Sequence, residues 1–550
     1  MKLLIRVEAG PATGTHRVQR AISIGRSWQQ RAWPNPSAQS PRDVVTLACG
    51  EIPRTLEKRI QQLGFNLVTT QHNDGDTLDA LETASLAATM QADWIMTDGD
   101  CFDDNYHQAL SHDTRKLLVV AEQIQNKNQH ADLVYQPCVH TSRENNPASS
   151  TRVLCGPEFA IIDQAHESRK NGSESKRIAS EAKRILVYIE GPDAHNWTLK
   201  TLQTLSDLRR KRMTVDCVVS KEYPHHAELE MFKKSANMTL RIHGNGDRIS
   251  QIIPRADLAI TNAGTFCYDI ANQGLPAIVA STRRSQLRFT EALEQSGAIA
   301  SLDELAETSE PQVEHEELRL DGAKLKSTIL SLLNDRAWRK SMSDAGQKAV
   351  DSRGADRIVC SMIAATFTLR PATADDITTM WHWNNDPEVR SVSLRSRTAR
   401  FDEFEQTTRR QLADSARQVW IAQDRQQQPI GLVGFEFISN SAESPAIPTA
   451  LICVVVDQAR RGKGLGTILT ARACAKLFQA NPECMVIARV KPSNVASEKA
   501  FRAAGFVGIP PAIVDDKMAI QFQLVAETIT QSQPAPSQRL VNGQRQQYVA

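Results

Sequence analysis

The sequence predicts an α/β chain of three successive blocks followed by a short polar tail. Two observations carry this. Strand-sized apolar runs alternate with helical patterns along most of the length. The 550 residues also exceed a single domain of roughly 150 residues more than threefold. With 41% apolar and 23% charged residues, the chain is not disordered throughout. A formal charge of +2 speaks against nucleic acid or an anionic membrane as the main partner.

The first block, residues 1–165, opens on an expected strand at Lys2–Val7. Arg6 and Glu8 end its apolar run too early for the core of an export signal. Further strands are expected at Asp43–Ala48, Trp94–Thr97, Leu117–Val120 and Leu133–Tyr135. Separated by helical patterns, they have the rhythm of a mainly parallel sheet. The polar stretch His166–Lys183 reads as a connector. The second block, residues 184–350, restarts the rhythm at Arg184–Ile189. A turn at Gly191-Pro192-Asp193 follows, then a helix carrying Leu199, Leu202, Leu205 and Leu208. Strands are expected at Thr214–Val219, Met238–Ile242, Leu258–Thr261 and Ala277–Val279. The acidic, proline-bearing stretch Glu304–Glu317 reads as a surface loop, and Asp321–Thr366 as a closing helical segment. Two such blocks suggest two Rossmann-like lobes facing a cleft, with ligands at the carboxyl ends of the strands.

The third block, residues 367–526, carries a strand–loop–helix motif of its own. Residues 528–550, rich in Gln, Ser and Pro, have little to bury and are expected to form a disordered tail. The apolar run Leu451–Val456 is strand-sized and far below a membrane span. Ten cysteines that never form C-x-x-C argue against a zinc ribbon or a disulfide framework. A cytoplasmic chain with reduced thiols is expected, with no metal site and neither a membrane nor a nucleic-acid partner.

Strand Leu451–Val456 runs into Asp457-Gln-Ala-Arg460-Arg461-Gly462-Lys463-Gly464-Leu465-Gly466. The helix that follows gathers Leu465, Ile468, Leu469, Ala473 and Leu477 on one face. Glycines at 462, 464 and 466 permit left-handed torsions and close approach of a ligand. With Arg460, Arg461 and Lys463 beside a helix start, the loop suits a pyrophosphate. Neither the P-loop nor the G-x-G-x-x-G spacing is present, and an ordinary basic turn fits this stretch equally well. A second motif follows the expected strand Met485–Val490, with Asn494, Ser497, Phe501, Gly505 and Phe506 at fixed intervals. Together the two motifs resemble the GNAT family of acyl-CoA-dependent N-acetyltransferases. Its R-x-x-G-x-G loop matches Arg461, Gly464 and Gly466. Its N-x-x-S-x-x-x-[YF]-x-x-x-G-F segment matches the second set.

The resemblance implies that acetyl-CoA is the cofactor, lying in a splay between 451–456 and 485–490. Arg461, Gly462, Gly464 and Gly466 would hold its pyrophosphate, and strand backbone around Val455 its pantetheine arm. Asn494, Ser497 and Phe501 complete the implied donor site. The amine would attack the thioester directly, which calls for a base at the ammonium and an acid at the leaving thiolate. Many members carry a tyrosine acid at the Phe501 position. Phenylalanine cannot donate, which leaves water, another group or an unaided thiolate. Glu436, in an expected strand Gly431–Ile438, is the candidate catalytic base, and a surface-facing strand glutamate is the alternative. The pattern Trp383-x-Asn385-Asp386-Pro387-x-Val389-Arg390 is similar to acetyltransferases that modify the 4-amino group of nucleotide-linked amino sugars. Trp383, Asn385 and Arg390 are thus implied substrate contacts. Trp381 and Trp383 fit stacking on a sugar or base, and equally a place in the core.

In the second block, Gly264-Thr265 opens a helix and Asp269 stands one turn later. Such a turn takes phosphate on its amides and a ribose on its carboxylate; a plain turn-plus-helix fits as well. Residues 1–350 as a whole look like the two-lobed, GT-B type UDP-sugar hydrolases of pseudaminic acid biosynthesis. Their G-[ST]-x-x-x-[ED] segment matches Gly264, Thr265 and Asp269. Their Gly-Gly-Ser/Thr-Asp-Pro-His-Asn turn corresponds to Glu190–Asn196, and their Leu-Gly-Pro segment to Cys155-Gly156-Pro157. In that pathway the preceding enzyme acetylates the 4-amino sugar, so the two resemblances support one another. The implied partner is a UDP-linked amino sugar.

The front half also departs from that family. The family loop G-x-G-H-[VI]-x-R reads Gly14-Thr15-His16-Arg17-Val18-Gln19-Arg20 here. Arg17 takes the histidine position, and His16 lies one residue earlier, about 100° around a helix. His16 is the candidate catalytic residue, since an imidazole accepts a proton near neutral pH. Arg17 is the candidate substrate contact, because arginine binds phosphate but is a poor base. Asp98-Gly99-Asp100 replaces an Asp-His-Tyr-type segment, and Glu190 adds negative charge at a phosphate-binding turn. Hydrolase, nucleotide-sugar binding module, glycosyltransferase and plain scaffold all remain readings of this half.

Overall fold

The computed structural model describes residues 1–10, 16–31, 44–111, 115–121, 130–137, 151–162, 177–191, 193, 195–210, 212–220, 223–244, 249–303, 318, 320–394, 397–438 and 447–526. They form two compact units, one almost wholly within residues 2–358 and the other from 359 onward. The expected loop Glu304–Glu317, residues 166–176 of the connector, and the tail 528–550 lie outside the described residues. Gly14 and Thr15 do as well.

Two parallel sheets form among the described residues of the first unit. One contains β1 (Leu3–Val7), β2 (Val45–Cys49), β3 (Asn66–Thr69), β4 (Trp94–Asp98), β5 (Lys116–Val120), β6 (Leu133–Tyr135) and β7 (Arg152–Leu154). Its order is β3-β2-β1-β4-β5-β6-β7. The other contains β8 (Arg184–Tyr188), β9 (Thr214–Val219), β10 (Thr239–Gly244), β11 (Leu258–Asn262), β12 (Ala277–Ala280) and β13 (Ala300–Ser301). Its order is β10-β9-β8-β11-β12-β13. In each sheet the chain direction of travel reverses beside the first strand, between β1 and β4 or between β8 and β11. Ligands of open α/β sheets bind outside the carboxyl ends of the strands at that reversal.

The pattern of burial explains why these segments read so clearly as strands. Every residue of β1, β2 and β4 is buried. In β8, Ile185 and Val187 enter one core cluster while Leu186 enters another. Successive residues of a strand face opposite sides, so both faces of this sheet are covered. Each fully buried aliphatic side chain contributes about 1.5–3 kcal/mol. Arg6 departs from the apolar rule, being fully buried between Asp79 at 3.0 Å and Asp74 at 2.6 Å. The closing helical segment is three helices, Gly322–Asn334, Arg336–Ala349 and Gly354–Ala365. Asp335 separates the first two by capping the amide of Trp338 at 2.8 Å, and Ser352 at φ 63° turns the chain before the third.

The second unit holds a mixed sheet of β14 (Thr368–Pro371), β15 (Arg417–Gln423), β16 (Pro429–Ile438), β17 (Thr449–Val456), β18 (Met485–Val490), β19 (Val507–Val514) and β20 (Lys517–Val525). The order is β14-β15-β16-β17-β18-β20-β19, and only β17 and β18 run parallel. The helix Leu465–Ala480 buries all five residues expected on its apolar face. On the other side, Met380, Trp383 and Phe404 pack on Ile421, Leu432 and Val455.

Among the described residues, no helix is long and apolar enough to cross a membrane. No group of His, Cys, Asp and Glu there could hold a metal ion. No disulfide joins the nine described cysteines to one another.

Candidate functional site

β17 and β18 pair only from Thr449–Met485 to Ile452–Ala488. Beyond that point they part, although each keeps its outer neighbour: β16 follows β17 to Val456, and β20 follows β18 to Val490. The strand end Cys453–Val456 therefore turns alternate backbone groups toward an open wedge. Such a wedge offers amide-to-amide bonding to an extended ligand.

The loop leaving that strand is shaped for an anion. Gly462 and Gly464 stand at φ 76° and 80°, torsions that side chains rarely adopt. Gly464 caps the helix Leu465–Ala480 and has no side chain to occupy the first-turn amides. Those amides and the helix dipole together favour negative charge. Arg461 is anchored by a bond from Nε to the carbonyl of Val456 at 3.0 Å. Its remaining nitrogens reach Asp386 at 3.0 and 3.2 Å and Glu388 at 2.7 Å. This bonding holds the Asp386 carboxyl below the usual carboxylate range. The second motif is built the same way: Asn494 accepts from the Ser497 amide at 3.0 Å and starts the helix Val495–Ala503. Phe501 is buried, edge-on to Phe506 at 5.1 Å.

Residues 366–507 match the family described as Acetyltransferase (GNAT) domain. The C-terminal part of the chain is a GNAT domain. The chain is similar to the solved aminoglycoside acetyltransferase AAC(6')-Ib with coenzyme A and kanamycin, at 22% identity over 30% of this chain and 98% of that one, with TM-score 0.27. The Vibrio cholerae spermidine N-acetyltransferase with CoA and spermine is similar at 18% identity, over 30% and 99%, with TM-score 0.27. No curated protein matches.

Three polar side chains lie on the sheet face that also carries Val419, Ile421, Leu432 and Val455, toward the other end of β15 and β16. Glu436 pairs with Arg417 at 2.5 Å, and both keep solvent contact. Cys453 is exposed opposite Gly434, which has no side chain to cover it. The other expected amine-side residues are bonded within the chain. Trp383 is 6% exposed, packs on Val455 and donates to Asp457 at 3.2 Å, so of the two readings it takes the core one. Asn385 bonds both backbone groups of Ala399, at 2.8 and 3.0 Å, and Trp381 donates to the same carbonyl at 2.9 Å. Arg390 reaches Asn384 at 2.6 Å and the Arg397 carbonyl at 3.0 Å. These residues therefore tie the helix end around Asn384–Arg390 to Arg397 and Ala399. Sequence reading passed over Asp386, Glu388, Arg417 and Cys453. The Asp-Pro pair read only as part of a motif, and its partner Arg461 lies 75 residues away.

In the first unit, carboxylates of the chain itself stand at both reversal points. After β1, Glu8 accepts the amide of Asp100 at 2.8 Å. Arg17, from the helix His16–Arg31, is clamped between Glu8 and Asp100, while Arg20 holds Asp98 at 2.6 and 2.7 Å. His16 opens that helix with its side chain exposed; crowding by the surrounding chain, then Arg20 and Arg17, push its pKa down. In the second sheet, Asn262 bonds the backbone of Glu190 at 2.7 and 3.2 Å. That places the Glu190 carboxylate where a side chain at Gly264 would sit, 2.5 Å from its Cβ position. Thr265 and Asp269 occupy the start of the short helix Phe266–Asn272. The structure thus brings Gly264, Thr265 and Glu190 together at one point, and His16 and Arg17 at another.

Proposed function

We propose that the chain is an acetyl-CoA-dependent N-acetyltransferase for the 4-amino group of a nucleotide-linked amino sugar. The supporting observation is the parting of β17 from β18 directly beside the loop Arg461–Gly466. Bound in that wedge, acetyl-CoA would supply the activated acetyl group. Arg461, Gly462, Gly464 and the first-turn amides hold its diphosphate. Backbone groups around Val455 hold the pantetheine arm, and Asn494, Ser497 and Phe501 line the other strand. The exposed face with Arg417, Glu436 and Cys453 receives the amine. Glu436 attracts the ammonium and takes its proton, directly or through water. Phe501 has no proton to give, so solvent protonates the leaving thiolate.

The front half, as lobes 1–165 and 184–350 ahead of the 367–526 domain, is read as a GT-B type, UDP-sugar hydrolase-like module without hydrolytic activity. Three features favour this over a bifunctional enzyme: Arg17 is spent on carboxylates, His16 is a weakened base, and Glu190 crowds the Gly264 turn. The test is mass spectrometry of a UDP-4-amino-4,6-dideoxy sugar incubated with the protein, with and without acetyl-CoA. Acetylated UDP-sugar without free sugar is expected. Release of UDP would restore the bifunctional reading, and no acetylation at all would remove the sugar assignment.

A further inference from the structure

The short helix Pro387–Val392 is tied at both ends to the chain beyond the two parting strands. At its start, Asp386 caps the amides of Glu388 and Val389 at 2.8 and 3.2 Å while gripping Arg461, which follows β17. Toward its end, the Ser391 carbonyl accepts from Lys491 at 2.8 Å and the Val392 carbonyl from Asn494 at 3.5 Å, both of which follow β18. The helix therefore links the loop after one arm of the wedge to the turn after the other.

The two carboxylates on Arg461 differ. Asp386 is 11% exposed, bonds two guanidinium nitrogens and also caps the helix. Glu388 is 70% exposed and makes a single bond to one nitrogen. An exposed single pair of this kind is readily exchanged for another anion. We propose that Glu388 occupies the place on Arg461 that the donor's diphosphate takes, so that donor binding displaces Glu388 and frees one tie of the linking helix. Asp386 stays as a positioning residue that keeps the guanidinium aimed. This rests on the GNAT donor site described above.

The test is calorimetric titration of the full-length protein with coenzyme A, comparing the wild type with E388Q and E388D. Both variants are expected to bind about two- to fivefold more tightly, the scale of an exposed pair. Aspartate keeps the charge but is one methylene too short to hold Arg461. Pantetheine, which lacks the diphosphate, is expected to bind all three alike. Unchanged or weaker coenzyme A binding by E388Q would overturn the proposal. So would E388D behaving like wild type while E388Q tightens, since that reports charge at a distance and not an occupied place. A wild type that binds no coenzyme A would instead overturn the donor site on which the proposal stands.

Discussion

At the scale of single residues, the shape of the loop Arg461–Gly466 was legible because its torsions are written in residue types. Glycines at 462 and 464 announce torsions that other residues avoid, and the structure places both at positive φ. Arg461 announces an anion, and its distance from the Val456 carbonyl fixes its aim. Replacing Arg461 with alanine removes one charge-assisted contact and leaves Asp386 and Glu388 facing the diphosphate. The KM for acetyl-CoA is expected to rise at least about tenfold with kcat nearly unchanged, the pattern of lost ground-state binding. Steady-state kinetics at saturating amine checks this, and an equal fall in kcat would place Arg461 in the chemical step instead. Trp383 was not legible in this way. A tryptophan has the same letters whether it stacks on a ligand or fills a core, and only its packing on Val455 and Leu432 decides.

At the scale of elements, the buried strands were legible and the polar ones were not. β1 and β4 are buried throughout and open on the apolar runs Leu3–Ile5 and Trp94–Met96. β3, with an exposed residue at each end, and β15, which begins Arg417-Gln418, lack that signature. Nor does sequence show that Arg6, in the middle of β1, meets Asp79 from the first turn of the helix Thr77–Thr89. Both groups are fully buried, so removing Asp79 takes one of the two carboxylates from a buried guanidinium and leaves it Asp74 alone. Asp79→Ala is expected to cost about 3–5 kcal/mol of stability in chemical denaturation. His107, 2% exposed in the helix Asp104–Leu110, has its pKa pushed down to about 4 by burial. Its unfolded value is about 6.5, so between those pH values only the unfolded chain holds the proton. Stability is therefore complete above about pH 6.5 and declines toward pH 4, by on the order of 3 kcal/mol for this group. H107Q is expected to flatten that acid limb in thermal melts taken across the range. An unchanged slope would assign it to other groups.

At the scale of the whole molecule, the same architectural logic appears twice in the first unit and is closed off twice. A parallel sheet directs ligands to the reversal of strand order, and at both reversals a carboxylate from the end of the first strand has moved in. Glu8 and Asp100 neutralise Arg17 at one. Glu190 stands over Gly264 at the other, held there by Asn262. The proposed likeness to a UDP-sugar hydrolase rests on sequence motifs alone. Whether the place for phosphate stays open could not be read from them, because that depends on where one side chain falls after folding. The consequence is open to measurement. Glu190→Gly removes the carboxylate and restores the residue type that the resembling family carries at that turn. Glu190 is exposed at the end of β8, so the fold is expected to survive, which circular dichroism can check. Removing one adjacent like charge is expected to tighten UDP binding about two- to fivefold by calorimetry, while coenzyme A affinity in the GNAT domain stays the same. Tight UDP binding by the wild type, unimproved in E190G, would mean the diphosphate lies elsewhere in the lobes. In that case Glu190 is an ordinary turn residue, and the argument for a silent front half narrows to Arg17 and His16.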